Sequence, residues 1–484
     1  VVGSAPVTPR NPNKEPLVND RRRMFVALAT VALACAAGLL GGCAGAPSRG
    51  ARLEAASSRA PELEDARADA EAATPALVLV GEDGLPGESY ARLAADGAWS
   101  WFGEPRAVFH EGEHRRTYAG YVTSAGDVKI AQFDHVSSEV VTGTLKEDLQ
   151  RDDNASPAVA VRPDHRLMAF YSGHRGRWMV YTLSSNAEDV TAWGKPRAAG
   201  GHTSEFAGYT YPSVAILAAE DHRRYAFWRG AGFLPTFVSS ERGLDWSEPR
   251  ALAGGAENEP FFKIASDGES AIHMAFTNGH PRHEPVNSIY YVRYEGGAFR
   301  RVDGSRVGTM EDLPLSLDAV DLVYDANASG VRAWLWDVAV DSLGHPVIAY
   351  AAFPAEDDHR YRYARWDGAS WVDVEVVPAG AWFPSVEKGR GHFDAYYSGG
   401  MALDQTDPSI LYLSRPVGGV FEIERWTTRD GGRTWSSEAV TAGSTYNNVR
   451  PVVPLDHAPD GPGLIWMNGP YVDYEDFSTS LRMK

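Results

Sequence analysis

The stretch Asp152 to Arg175, DDNASPAVAVRPDHRLMAFYSGHR, sets two short apolar runs on either side of a turn, and the same unit returns along the chain. Ala158–Val161 and Leu167–Tyr171 are short and bounded by turn residues, which favours β-strands over pieces of buried helix. Pro163-Asp164 supplies the turn between them. In an antiparallel hairpin the start of the first strand and the finish of the second lie at one end. Asp152-Asp153-Asn154 and Ser172-Gly173-His174-Arg175 are therefore neighbours in space, with the turn at the far end.

The layout recurs. Tyr209-Thr-Tyr211-Pro-Ser leads into Val214–Leu217, and Tyr225-Ala-Phe-Trp228 runs out into Arg229-Gly230. Asn258-Glu-Pro260 precedes Phe261–Ala265, and Ile272–Phe276 runs into Thr277-Asn278-Gly-His280-Pro-Arg282-His283. Further copies begin at Trp336 and at Tyr397-Ser-Gly-Gly400, the latter running out into Ser414-Arg415. One repeated unit that carries polar groups at the same end each time builds a functional face.

A second repeat sets the number of units. Trp101-Phe-Gly-Glu-Pro-Arg106, Trp193-Gly-Lys-Pro-Arg197 and Trp246-Ser-Glu-Pro-Arg250 are near copies, and Ala298-Phe299, Ser370-Trp371 and Thr434-Trp435 take the same place after a Gly-containing turn. The gap between Trp101 and Trp193 leaves room for one more copy near Thr142–Leu145. Seven units of about 50–60 residues match four-stranded propeller blades. The expected fold is all-β: one seven-bladed β-propeller over residues 75–484 with antiparallel four-stranded blades. Val449–Pro454 and Leu464–Met467 are expected to give inner strands to a closing blade whose outer strand, from the N-terminal side, holds Trp101. Closure of this kind leaves no free sheet edge.

Upstream, Arg21-Arg22-Arg23, the apolar Met24–Gly42 run and Leu40-Gly41-Gly42-Cys43 are in the order of an export signal. The small residues before Cys43 resemble a bacterial lipobox, and Arg22-Arg23-Met24-Phe25-Val26 resembles a twin-arginine signal. Residues 1–42 are read as a lipoprotein-type signal and 43–74 as a flexible tether, with the protein exported and anchored through a lipid on Cys43 at the outer membrane or cell surface. Cys35 and Cys43 are the two cysteines, so the folded part has no disulfide and no thiolate metal ligand. A net charge of −18 argues against a nucleic-acid partner, and membrane contact is expected only through the anchor. The protein is expected to be a monomer.

Ser240-Glu-Arg-Gly243-Leu-Asp-Trp246 and Thr428-Arg-Asp430-Gly-Gly432-Arg-Thr434-Trp435 resemble the Asp-box, or BNR repeat, of sialidases and related propellers. The resemblance places these boxes in the turn between third and fourth strands, where they specify fold and not chemistry. A narrower resemblance covers most of Asp152 to Pro451. DDNASPAVAVRPDHRLMAFYSGH, YTYPSVAIL, YAFWRG, FTNGHPRHEP, HRYRYARWDG and YLSRPVGGVFEIERW together are similar to the BNR-repeat family that includes ulvan lyases and rhamnose–glucuronate lyases. That family implies cleavage of rhamnose–uronate linkages by β-elimination, an anionic poly- or oligosaccharide as partner, and no required cofactor.

β-Elimination across C4–C5 of a uronate needs a cation to neutralise the carboxylate, a base for the C5 proton and an acid for the leaving O4. Arg suits the first task because its fork matches a carboxylate, and His and Tyr suit the others. The resemblance carries these roles to His174, Tyr211 and Arg229. It also marks a departure. Relatives read Asp-Asp-His-Asn where this chain has Asp152-Asp153-Asn154-Ala155, so Asn154 stands in the place of a catalytic His; it can hydrogen-bond but cannot act as a base. Arg175, Asn278, His280, Arg282, Arg415 and Arg450, with Arg360, fall at the same end of their units and are expected to bind an anionic glycan. Trp228, Trp336 and Trp382 are candidate sugar platforms, with core packing as the alternative. His280, His283 and His359 are candidates for a structural metal site. Two other readings stand beside the lyase. An exo-acting glycoside hydrolase would use a carboxylate pair drawn from Asp152, Asp153 and Asp337. A non-catalytic glycan-binding lipoprotein would explain Asn154.

Overall fold

The computed structural model describes residues 78–79, 90–202, 208–255, 259–381, 397–459 and 463–484. The export signal, Cys43, the tether and Trp382 lie outside the described residues. The chain divides into two units, Val1–Asp65 and Ala66–Lys484, and the second holds every described residue.

That unit is a seven-bladed β-propeller of antiparallel blades, each running from an inner strand at the axis to an outer strand at the rim. The inner strands are Ala107–Glu111, Ala158–Val161, Thr210–Leu217, Phe262–Ser266, Arg332–Val340, Met401–Leu403 and Asn448–Val452. The first blade gains Val78–Leu79 at its rim, and in the fourth Asp321–Tyr324 also pairs with Ile289–Glu295. The hairpin read from Asp152 to Arg175 is the inner half of the second blade, with Ala158 opposite Phe170 and Val161 opposite Leu167.

The Asp-boxes occupy the turns between third and fourth strands of the third and sixth blades. In the better copy Asp430 accepts from the Thr434 backbone N–H at 2.8 Å and from its hydroxyl at 2.7 Å, while Thr428 Oγ1 accepts from the Gly432 N–H at 2.8 Å. Gly432 has φ 94°, and a Cβ there would meet Tyr363 of the fifth blade at 2.8 Å, so glycine is required both for the turn and for the close approach. Trp435 then packs edge-on against Tyr363, and Trp246 likewise against Phe170 and Tyr181 of the second blade. Each Trp buries its ring on the preceding blade, so the repeat is the mortar between blades.

Ring closure places three strands of the last blade at the C-terminus: Asn448–Val452, Ile465–Asn468 and Ser480–Met483. The fourth, at the rim, is Ala91–Ala94 from the N-terminal side. Contrary to expectation, Trp101 does not lie on that rim strand. Trp101-Phe-Gly-Glu-Pro-Arg106 leads into an inner strand and not an outer one, and it runs across the axis. Trp101 stacks on Trp336 at 4.2 Å, and its indole N–H donates to Leu335 O at 3.1 Å. Phe102 packs on Tyr211, Phe261 and Trp334. The Ser100 N–H donates to Asp153 O, the Glu104 N–H to Ser213 Oγ, and Arg106 to Pro157 O. This plug leaves a cavity of about 70 Å³ lined by Glu104, Lys263 and Asp337, and burial pushes the Asp337 carboxyl up while Lys263 opposes the shift.

Candidate functional site

The polar ends of the second and third blades meet on the plugged face. Asp152 caps a single 3-10 turn, Asp153–Ala155, that precedes the second blade's inner strand. Its buried carboxylate is fully engaged. Oδ1 accepts from the Asn154 backbone N–H at 2.9 Å and from Asn154 Nδ2 at 2.7 Å, while Oδ2 lies 2.7 Å from His174 Nδ1. Gln150 Oε1 accepts from the His174 backbone N–H at 2.9 Å. A carboxylate only accepts, so His174 Nδ1 carries the proton and Nε2 presents a lone pair.

Tyr211 reaches the site through a bulge. In the third blade Thr210 pairs with Arg229 and Ser213 with Phe227, so Tyr211 and Pro212 stand opposite Trp228 alone and the inner strand carries one extra residue. Tyr211 has φ 62° there, an unfavourable region for a bulky residue, and Arg175 has φ 59°. Bulges and strained residues of this kind re-aim side chains near active sites. The Tyr211 ring lies 6.4 Å from the His174 ring, and Cζ of Arg229 sits 4.8 Å from its centroid. Burial pushes the Tyr211 phenol up to about 12, with Arg229 working in the opposite direction.

Arg229 is 5 % exposed. Its guanidinium donates to Gly208 O and Thr210 Oγ1, both at 3.1 Å, and lies against Phe233 and Phe261 as well as Tyr211. These partners are neutral, and among the described residues Arg229 has no ion-pair partner. Burial lowers its pKa, because the charge sits in a poorly solvated place. A buried guanidinium with no ion-pair partner among the described residues, beside a phenol and an oriented imidazole, can receive an anionic group next to side chains able to move protons. Arg175 is exposed beside it, its backbone N–H held by Thr210 Oγ1 at 2.8 Å.

Two contributors are absent from the sequence reading. A hairpin, Tyr471–Asp473 with Asp476–Phe477, is inserted between two strands of the last blade. It sets the Tyr474 ring edge-on to His174 at 5.5 Å, and Tyr474 O accepts from the Asp153 N–H at 2.8 Å. Gln150 is the other. The aromatic and acidic run Tyr471-Val-Asp-Tyr-Glu-Asp476 was the available signal.

Other expected residues are placed elsewhere. Arg450 is buried: it pairs with Asp153, donates to Trp99 O at 2.6 Å and contacts the Tyr471 hydroxyl at 2.6 Å, which donates in turn to Asp153 at 2.5 Å. Burial pushes the Asp153 carboxyl up, and Arg450 opposes that shift. Arg450 thus braces the site from beneath and is not a glycan ligand. Arg450→Ala would leave a buried carboxylate uncompensated, so denaturant unfolding should show a loss of about 3–5 kcal/mol. Arg415 is held in a fork by Glu424 at 2.7 and 2.8 Å, and Arg360 pairs with Asp358 and Glu375. Asn278 closes its own loop by accepting from the Ser288 N–H at 2.7 Å. His280 packs on Trp334 at 4.3 Å and on Phe261, so it stands one ring away from Arg229, with Arg282 exposed next to it. Trp228 and Trp336 are fully buried core residues. His280, His283 and His359 do not form a metal site: His359 is buried against Phe353 and Ser398, and among the described residues the group with ligand spacing is His110, His165 and Glu188.

The model of a BNR repeat-containing family matches residues 116–378. The chain belongs to this BNR repeat-containing family. Among solved structures, this BNR-repeat protein is similar to an ulvan lyase described as a new family of polysaccharide lyase and bound to -[GlcA(1-4)Rha3S]-, with 16 % identity over 81 % of this chain and 94 % of that one, at a TM-score of 0.63. It is also similar to the polysaccharide lyase Uly1, with 12 % identity over 84 % of this chain and 97 % of that one, at a TM-score of 0.53. At these identities the likeness is one of fold. No curated protein matches the BNR-repeat chain.

Proposed function

We propose that this protein is a polysaccharide lyase that cleaves rhamnose–uronate linkages by β-elimination. The observation that carries the reading is Arg229, a buried guanidinium without a carboxylate partner, set beside the Asp152–His174 pair. Arg229 binds the uronate carboxylate and acidifies the C5–H bond. His174 Nε2 takes the C5 proton, with Asp152 holding the ring and stabilising the imidazolium that forms. The C5 electron pair becomes the C4–C5 double bond, the C4–O4 bond breaks, and Tyr211 protonates O4. Tyr211 takes the acid's part because its raised pKa keeps the proton on the phenol until the leaving oxygen takes it. The likeness in fold to a lyase bound to a glucuronate–rhamnose saccharide supports the substrate class. The test is a panel of uronate polysaccharides: lyase action produces ultraviolet absorbance from the unsaturated uronate, whereas hydrolysis produces reducing ends without it. Hydrolysis would overturn the reading.

The carboxylates named for the hydrolase alternative do not form a free pair at the site. Asp152 and Asp153 are buried and engaged, and Asp337 lines the cavity beneath the plug while accepting from two backbone N–H groups. The binding-only alternative turns on Asn154, whose amide faces Asp152 and positions it. Asn154→His should sustain or raise turnover, since an imidazole N–H can also donate to Asp152. A parent inactive on every uronate substrate, with Asn154→His switching cleavage on, would favour the binder.

With its phenol near 12 and not the usual 10 or so, Tyr211 should hold its proton well above the ordinary tyrosine range. The kcat/KM profile should therefore show no alkaline loss centred near pH 10, and a phenol-like limb there would displace Tyr211 from the acid's role. Export and lipid attachment at Cys43 belong to the same proposal. Cys43→Ala should block processing or release the protein from membranes on fractionation.

A further inference from the structure

On the face opposite the plugged one, His110 ends the first blade's inner strand, His165 lies in the turn between the second blade's first two strands, and Glu188 follows its third strand. Their donor atoms converge. His110 Nε2 and His165 Nδ1 are 2.9 Å apart, and Glu188 Oε1 is 3.6 Å from the first and 3.7 Å from the second. We propose that these three side chains bind one zinc ion that clamps the first blade to the second.

The geometry suits that ion. Zn–N and Zn–O bonds of about 2.0–2.2 Å in a tetrahedron set neighbouring donors roughly 3.3–3.6 Å apart, and the three observed edges straddle that range. Two imidazoles and one carboxylate with water in the fourth position form a common zinc donor set. Water has a path, because the His110 side chain is 19 % exposed and that of His165 51 %.

The cluster is also built to hold its shape. Both Glu188 carboxylate oxygens are oriented by backbone N–H groups, Oε1 by Glu113 and Oε2 by His114, each at 2.8 Å. Such outer hydrogen bonds fix ligand orientation in metal sites. The Glu188 carbonyl accepts from Arg116 at 2.6 Å and Tyr118 at 3.1 Å, and its N–H donates to His165 O at 2.8 Å. His165 and Glu188 both sit in the left-handed region, with φ 58° and 53°. Gly112 leaves the cradle open: a Cβ there would stand 1.8 Å from Glu188 Oε1 and 2.8 Å from His110 Nε2. Without an ion the same atoms reduce to a His–His hydrogen bond and a carboxylate capping a turn.

The full chain, stripped with a chelator and titrated with zinc chloride, distinguishes the two. Calorimetry should show one tight zinc per chain, thermal unfolding should shift upward with zinc, and cobalt(II) should give the visible spectrum of a four-coordinate site. His110→Ala and His165→Ala should each weaken zinc binding by more than about 100-fold, beyond the 10–100-fold typical of lost outer partners, and should abolish the cobalt spectrum. Circular dichroism of the stripped variants should match that of the stripped parent, which separates ligand loss from misfolding. Less than one zinc per chain, or titrations unchanged in both variants, would overturn the proposal.

Discussion

His174→Ala is expected to lower turnover on a uronate polysaccharide by about 10²–10⁴-fold, with the thermal unfolding midpoint close to that of the parent. The imidazole is the group whose lone pair the site prepares, since Asp152 holds Nδ1 at 2.7 Å and leaves Nε2 to the substrate. Its side chain is only 11 % exposed, yet it packs at the surface and fills no core position, so its removal should affect chemistry more than folding. Asp152→Asn should cause a smaller loss of the same kind, because an amide can still hold the ring but cannot stabilise the imidazolium. Steady-state kinetics beside differential scanning calorimetry check both. Full activity in a folded His174→Ala protein would remove His174 from the mechanism, and a similar result for Tyr211→Phe would remove Tyr211.

Arg229→Lys should be nearly as damaging although it preserves charge. The guanidinium is set among three aromatic rings, with its Cζ 4.8, 5.0 and 5.6 Å from their centres, and donates to two fixed oxygens while keeping donors for a ligand. An ammonium has neither the plane nor the fork. Removal of one well-placed donor to developing charge costs about 10²–10³-fold in kcat, and the same order is expected here. The loss should appear in kcat and kcat/KM together, because the enediolate-like charge at the carboxylate is greatest in the transition state. A rise in KM alone would make Arg229 a binding residue and no more.

Arg229, Arg415 and Arg450 show what a linear reading can and cannot distinguish. Each lies at the same end of its repeat, and position alone gives them one role. Arg415 meets Glu424 on the next strand of its own blade, and Arg450 meets Asp153, 297 residues away. Arg229 meets neutral oxygens and rings. Charge availability is a property of the partner: Glu424 arrives with the hairpin of Arg415's own blade, whereas Asp153 reaches Arg450 only when the ring closes.

The strand periodicity, the hairpin layout, the Asp-box turns and the seven repeats were determined by the sequence itself, because each is carried by residues close together in the chain. Trp246 and Trp435 follow this rule, their places being set by turns of a few residues. Trp101 breaks it. Its Glu-Pro-Arg context copies that of Trp246, but Trp101 packs on Trp334 and Trp336 at the axis, with Phe102 beside it on Phe261. The same holds for the Tyr474 hairpin over His174 and for the convergence of His110, His165 and Glu188. Those arrangements join strands of different blades, and only the packing of one blade against the next decides which side chains meet.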